Sequence, residues 1–160
     1  MGKYSSTKTY GNDQGLSCCF RQWAATHSHC SMLHGYSIGV KLTFTCSSLD
    51  ERNWVQDFGG LKKFKEWLKY MFDHTLLVAE DDPLLEKFIE LDKINGGWED
   101  KGIMDLRIVP GVGCEKFAEL IHTTLSEMLH ADKKKSLNPT VKLKSVEVFE
   151  HGANSAIYEE

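Results

Sequence analysis

Nine consecutive residues constrain most strongly what this chain can fold into. Ile38, Val40, Leu42, Phe44 and Cys46 alternate with Gly39, Lys41, Thr43 and Thr45. Successive side chains on a strand point to opposite faces, so this segment reads as a strand with one buried and one solvated face. A half-buried strand needs pairing partners and a layer to cover its apolar side. Residues 16–26, rich in Cys, Phe, Trp and small side chains, are the expected antiparallel partner upstream. At the far end 141–149 and 155–159 read as two further strands, joined by Glu150-His151-Gly152-Ala153-Asn154, whose Gly and Asn suit a hairpin connection.

The covering layer is legible in the spacing of Leu61, Phe64, Trp67, Leu68, Met71 and Phe72, which predicts a helix over 60–72 with Lys62, Lys63, Lys65 and Glu66 on its wet side. A second helix follows Gly113, carried by Phe117, Leu120, Ile121, Leu125 and Met128, and ends near the solvated run Lys133-Lys134-Lys135. Between them, 80–102 reads as a helical excursion after Pro83 (Leu84, Leu85, Phe88, Ile89) that Asn95-Gly96-Gly97 closes. The order is hairpin, helices, hairpin. This is one α+β domain over 1–160, a four-stranded antiparallel ββααββ sheet with two main helices on one face.

Charge and cysteine content narrow the function classes. With 19 Lys+Arg against 23 Asp+Glu the net charge is -4, so no global positive field holds a nucleic-acid backbone or an anionic membrane. No apolar run is long enough to span a bilayer, and the polar first 15 residues lack the order of a signal peptide, so a cytoplasmic location is expected. The five cysteines, Cys18, Cys19, Cys30, Cys46 and Cys114, are odd in number and contain no CxxC pair. This argues against a disulfide framework and a thiolate zinc site.

Reactive residues gather in four places. His27, His29 and His34 supply imidazoles of the kind zinc prefers, and His27 and His29 share a side if that piece is extended; the plainer alternative is hairpin histidines bonded to backbone or water. Cys30, one residue from His29 and four from His34, is either a thiolate base or nucleophile or a buried inert thiol. Asp73-His74 ends the first helix, as a carboxylate-oriented proton shuttle or as a helix cap. Glu150 continues the face of Val146 and Val148, where a carboxylate can accept two N–H donors from one edge of a heterocycle. Glu115 opens the second helix, where the macrodipole favours a carboxylate in any case.

Taken together these places resemble the 6-pyruvoyltetrahydropterin synthase and 6-carboxytetrahydropterin synthase family over about 20–158. The pieces that carry the resemblance are Trp23-Ala24-Ala25-Thr26-His27 for the family's F-x-A-A-H, Cys30-Ser31-Met32-Leu33-His34-Gly35 for its C-x-x-L-H-G-H, and Trp54-Val55-Gln56-Asp57-Phe58 before the first helix. Asp73-His74, Cys114-Glu115 and Glu150 then follow in the family's order. Tyr36 stands where the family has the second His of H-G-H, and Gly113-Cys114 where it has P-T. The resemblance implies the tunnelling fold, a homo-oligomer in the form of a hexamer of two stacked trimers, and Zn2+ held by His34 with His29 and His27. It also implies 7,8-dihydroneopterin triphosphate as small-molecule substrate, Cys30 with Asp73 and His74 as catalytic residues, and Glu115 and Glu150 as substrate contacts. The three-residue spacer between Cys30 and His34 matches the 6-carboxy branch, which releases acetaldehyde and feeds queuosine synthesis. The 6-pyruvoyl activity, a non-catalytic pterin binder without metal, and a metal-free Cys-His hydrolase built on Cys30 are the alternatives.

Overall fold

In a computed structural model, which describes residues 2–94, 99–132 and 138–160, the alternating segment is the strand its spacing demands. The expected turn at Asn95-Gly96-Gly97 and the run Lys133-Lys134-Lys135 lie outside the described residues. In chain order the elements are β1 (Tyr4–Tyr10), β2 (Ser17–Phe20), β3 (His34–Ser37), β4 (Gly39–Cys46), α1 (Lys62–Phe72), β5 (Thr75–Ala79) and α2 (Leu85–Asp92). β6 (Leu106–Val109), α3 (Cys114–Asp132), β7 (Lys142–His151) and β8 (Asn154–Glu159) complete the chain.

The four-stranded antiparallel sheet is present, in the order β1-β4-β7-β8. Its first strand is not the expected one. Residues 16–26 do not pair with β4; β1 does, from Tyr4 opposite Cys46 to Tyr10 opposite Val40. β1 escapes notice because it is an edge strand of Ser, Thr and Lys in which only Tyr10 is buried, and an edge needs little apolar surface. β2 instead nucleates a second sheet, β3-β2-β5-β6, antiparallel to β3 and parallel to β5. The reason lies in β5: all five of its residues are buried, as in a strand covered on both faces, and such a run shows no alternation to read.

Val40, Leu42 and Phe44 of β4 and Val146 and Val148 of β7 are fully buried. α3 lies across β7 and β8 and buries Phe117, Ala118, Ile121 and Leu125, with His122 beside them donating from Nε2 to the Leu143 carbonyl at 3.1 Å. α1 buries Phe64, Leu68 and Phe72 after a 3-10 turn, Phe58–Leu61, whose Asp57 accepts from the Gly59 amide at 2.9 Å. Phe117 joins the helices to β2, edge-on to Phe20 at 5.0 Å and to Phe72 at 5.3 Å. Among the described residues no helix is long and apolar enough to cross a membrane.

One buried ion pair ties the end of β2 to the segment before α2. Arg21 grips Asp82 with both carboxylate oxygens engaged, at 2.9 and 2.6 Å, and the Asp82 side chain is 1% exposed. Burial alone would push this carboxyl up, but the Arg21 guanidinium and the Leu84 amide hold it below its ordinary value. Its stabilisation is therefore complete above the unfolded carboxylate value near about pH 4 and is lost as the pH falls toward the depressed folded one. Asp82→Asn should cost about 3 kcal/mol at pH 7, because it strands a half-buried guanidinium. In urea titrations the gap between variant and wild type should close below about pH 4; a gap that stays constant down to pH 3 would contradict this.

Candidate functional site

β3 and β4 follow each other with only Ile38 between them yet belong to different sheets. Ile38 is fully buried and its amide donates to the Leu16 carbonyl at 3.0 Å. Asn12 fastens the corner: its Nδ2 donates to the Ser37 carbonyl at 2.7 Å and the Phe149 carbonyl at 3.3 Å, and Ser37 Oγ donates back to the Asn12 carbonyl at 2.6 Å. Gly39 passes so close that a Cβ there would stand 3.1 Å from Asn12 Oδ1 and 3.3 Å from its amide. Since Gly39 pairs with Phe149, the next residue of β7, Glu150, arrives beside the end of β3.

There it meets Tyr36. The phenol bonds to His34 Nε2 on one side and faces the Glu150 carboxylate on the other. His34 Nδ1 lies 2.7 Å from the Met32 carbonyl, which can only accept, so Nδ1 carries its proton. The phenol thus has one proton and two neighbours able to accept it. Asn154 Nδ2 donates to Glu150 at 3.4 Å and His151 Nε2 stands 3.8 Å away. The Tyr36 hydrogen bond outweighs the cost of burial and holds the Glu150 carboxyl below its ordinary range. Burial, then Glu150, push the Tyr36 phenol up. Phe20, opposite His34 on β2, floors the cluster with its ring centroid 5.2 Å from that of Tyr36 and 6.3 Å from that of His34.

The start of α3 closes another side. Gly113 has φ +108, and a Cβ there would collide with Gln22 Nε2 at 2.6 Å, so the position requires glycine. Burial, followed by Glu150 and Glu115, pushes the Cys114 thiol up to about 11. Glu115 itself is exposed in the first turn of α3. Cys30 is half-buried within electrostatic range of Tyr36, its carbonyl accepting from the Gln22 amide at 2.8 Å.

The remaining predicted residues lie elsewhere. Residues 23–28 form turns, not an extended strand: Ser28 Oγ accepts from the Cys30 amide at 3.2 Å and Ser31 Oγ donates to the Ser28 carbonyl at 2.9 Å. His27 and His29 are exposed and line a shallow surface cavity of about 560 Å3. Among the described residues no three His, Cys, Asp or Glu side chains converge as metal ligands, so the expected set of His27, His29 and His34 is not assembled and the donors present do not fit a tetrahedral zinc. Asp73 and His74 line a separate cavity of about 510 Å3 with Ile103, Met104 and Asp105. Asp73 bonds Nδ1 of an exposed His74, which is held at φ +57 and whose amide donates to the Ser17 carbonyl at 2.6 Å. That dyad sits at the Ser17 end of β2, whereas His34 pairs with Phe20 at the other end.

Comparison with known proteins places this architecture. The family model described as 6-pyruvoyl tetrahydropterin synthase matches residues 12–160. The chain belongs to the 6-pyruvoyl tetrahydropterin synthase family. A curated relative named 6-carboxy-5,6,7,8-tetrahydropterin synthase, from Rickettsia typhi, is 36% identical over 62 residues, 38% of this chain and 45% of that protein. A Rickettsia bellii protein of the same name is 34% identical over an equal stretch; the match thus spans about half the length of these relatives. An uncharacterized protein from Wolinella succinogenes shares the tunnelling fold with TM-score 0.77 at 21% identity, covering 99% of both chains. The Plasmodium vivax 6-pyruvoyltetrahydropterin synthase does so with TM-score 0.66 at 15% identity, covering 100% of this chain and 99% of that one.

For a member of this family the notable residues are Phe20, Gln22 and Asn154, which spacing alone does not mark as site components, together with Tyr36, which stands in place of a histidine and whose phenol bonds His34. Phe20 reads from sequence as core. Only the β2–β3 register puts it opposite His34. The electrostatics yield a prediction for Cys114. At pH 8 it should alkylate far more slowly than a cysteine of the unfolded chain, and Glu150→Gln should speed its labelling roughly threefold by removing one neighbouring charge. Mass-spectrometric labelling decides; Cys114 reacting first among the five thiols would contradict the assignment.

Proposed function

We propose that this chain is a tetrahydropterin-synthase-type lyase of the 6-carboxy-5,6,7,8-tetrahydropterin synthase kind, taking 7,8-dihydroneopterin triphosphate and releasing triphosphate and acetaldehyde. The observation that carries the reading is the ionised Glu150 at the rim of the β3–β7 corner. A pterin edge offers adjacent N–H donors, and a carboxylate held by Tyr36 and Asn154 accepts two such donors with fixed geometry. Family membership and the names of the Rickettsia relatives support the reaction class.

Within this reading Glu150 anchors the ring, Tyr36 and His34 hold a proton beside it, Cys30 moves protons on the substrate side chain, and Glu115 borders the site from α3. Asp73 orients His74 as a second acid–base group. Because that dyad opens into its own cavity, an assembly that turns it toward a neighbour's Tyr36 brings the two sets onto one substrate. The unpaired outer edges of β1 and β8 suit such an assembly, a homohexamer of two stacked trimers in the cytoplasm. A second reading, a pterin-binding relative without turnover, is favoured by one observation: Phe20 and Tyr36 fill the space around His34 with groups that cannot ligate a metal as imidazoles do.

Incubation with 7,8-dihydroneopterin triphosphate separates these. Acetaldehyde together with triphosphate supports the 6-carboxy chemistry. Triphosphate alone moves the assignment to the 6-pyruvoyl branch, and pterin binding without either product selects the binding module. Glu150→Gln should weaken binding of 7,8-dihydroneopterin about 10- to 100-fold, as expected for losing a charge-assisted bidentate contact. Cys30→Ala should bind as wild type and lose turnover; undiminished turnover would remove Cys30 from the mechanism.

A further inference from the structure

Three side chains converge where β2 and β3 meet: His34, its register partner Phe20, and Tyr36 two residues along the same face of β3. A zinc centre at this point would need at least three donors whose lone pairs point at one position about 2.0–2.3 Å from each. His34 has no nitrogen to spare, since Nδ1 is engaged by the Met32 carbonyl and Nε2 by the Tyr36 hydroxyl. Tyr36 in turn faces Glu150. Phe20 brings no donor at all.

Nor can the phenyl ring step aside. Phe20 is 4% exposed and wedged edge-on against the fully buried Phe117 at 5.0 Å, while the half-buried Tyr36 and His34 rings meet edge-on at 4.8 Å. The volume that a cation and its water would fill holds a phenyl ring and a phenol. Close packing of this kind is costly to open, because interiors tolerate few voids and forced rotamers. The exposed His27 and His29 stand on a different segment and do not supply the missing donors.

We infer that this chain has exchanged the metal centre implied by its family for a hydrogen-bonding centre, with Tyr36 as the group that links His34 to the ligand-anchoring Glu150, and that it binds its ligand without a divalent cation. The identity of the ligand as a pterin rests on the function proposed above; the absence of a cation requirement does not.

The test needs no turnover. Wild-type protein loaded with excess zinc and passed over a chelating column should retain less than about 0.1 zinc per chain by elemental analysis, whereas a Phe20→His/Tyr36→His double variant, with imidazoles at 20, 34 and 36, should retain close to one. Wild type that keeps about one zinc per chain overturns the inference, and so does a folded double variant that keeps none, because the β2–β3 geometry would then not define the centre. If the double variant fails to fold by circular dichroism, the wild-type zinc content still decides. Binding of 7,8-dihydroneopterin, followed by its fluorescence, should be equal in EDTA and in zinc; a tenfold loss in EDTA counts against the inference. Protein that excludes zinc and ignores the pterin in both buffers leaves the inference standing and removes the pterin reading.

Discussion

The corner at Ile38 is the constraint on which the rest of the site depends. Two strands that follow one another in sequence enter different sheets, so the end of one sheet is locked against the end of the other. Asn12 bonds both sides of the corner, to Ser37 and to Phe149, and Gly39 leaves room for it. Everything that gives the site its character follows from that lock. Glu150 belongs to the antiparallel sheet and Tyr36 to the mixed one, and they come together only because the corner sets the two strand ends side by side.

That contact governs the local electrostatics. A carboxylate that accepts from a phenol stays ionised over a wider range, and the same charge disfavours ionisation of the phenol and of Cys114 across the corner. The result is an ionised carboxylate flanked by a protonated phenol and a protonated thiol, with His34 bonded to the same phenol. A ligand approaching this corner meets an acceptor with donors at its flank. Such an arrangement is suited to an edge of adjacent N–H groups and poorly suited to a second anion.

Much of this was legible in the residues, and the failures have physical causes. The alternation of β4, the two helices and the C-terminal hairpin follow from periodicity, because each buries one face against the core. β1 and β5 were not legible, for opposite reasons: β1 buries so little that its text is polar, and β5 is buried on both faces, so its text shows no period. The second sheet went unseen with β5. Within the site, Glu150 was readable as a carboxylate ending an apolar strand face. The expected set of His27, His29 and His34 is not brought together, because Ser28 and Ser31 fold the histidine segment into turns through short-range bonds that spacing arguments do not weigh. Phe20 acquires its place only from cross-strand register, which a single sequence does not display.

The central claim is that a ligand is recognised at the Tyr36–Glu150 contact. The most direct measurement is the carbon NMR spectrum of protein labelled at the tyrosine Cζ atoms, with the Tyr36 signal assigned by Tyr36→Phe among the five tyrosines. Titration with 7,8-dihydroneopterin in the presence of EDTA should move the Tyr36 resonance saturably and leave those of Tyr4, Tyr10, Tyr70 and Tyr158 in place, because only Tyr36 bonds the anchoring carboxylate. A saturable response confined to another tyrosine, or a Tyr36 signal that shifts only when zinc is supplied, would contradict the account.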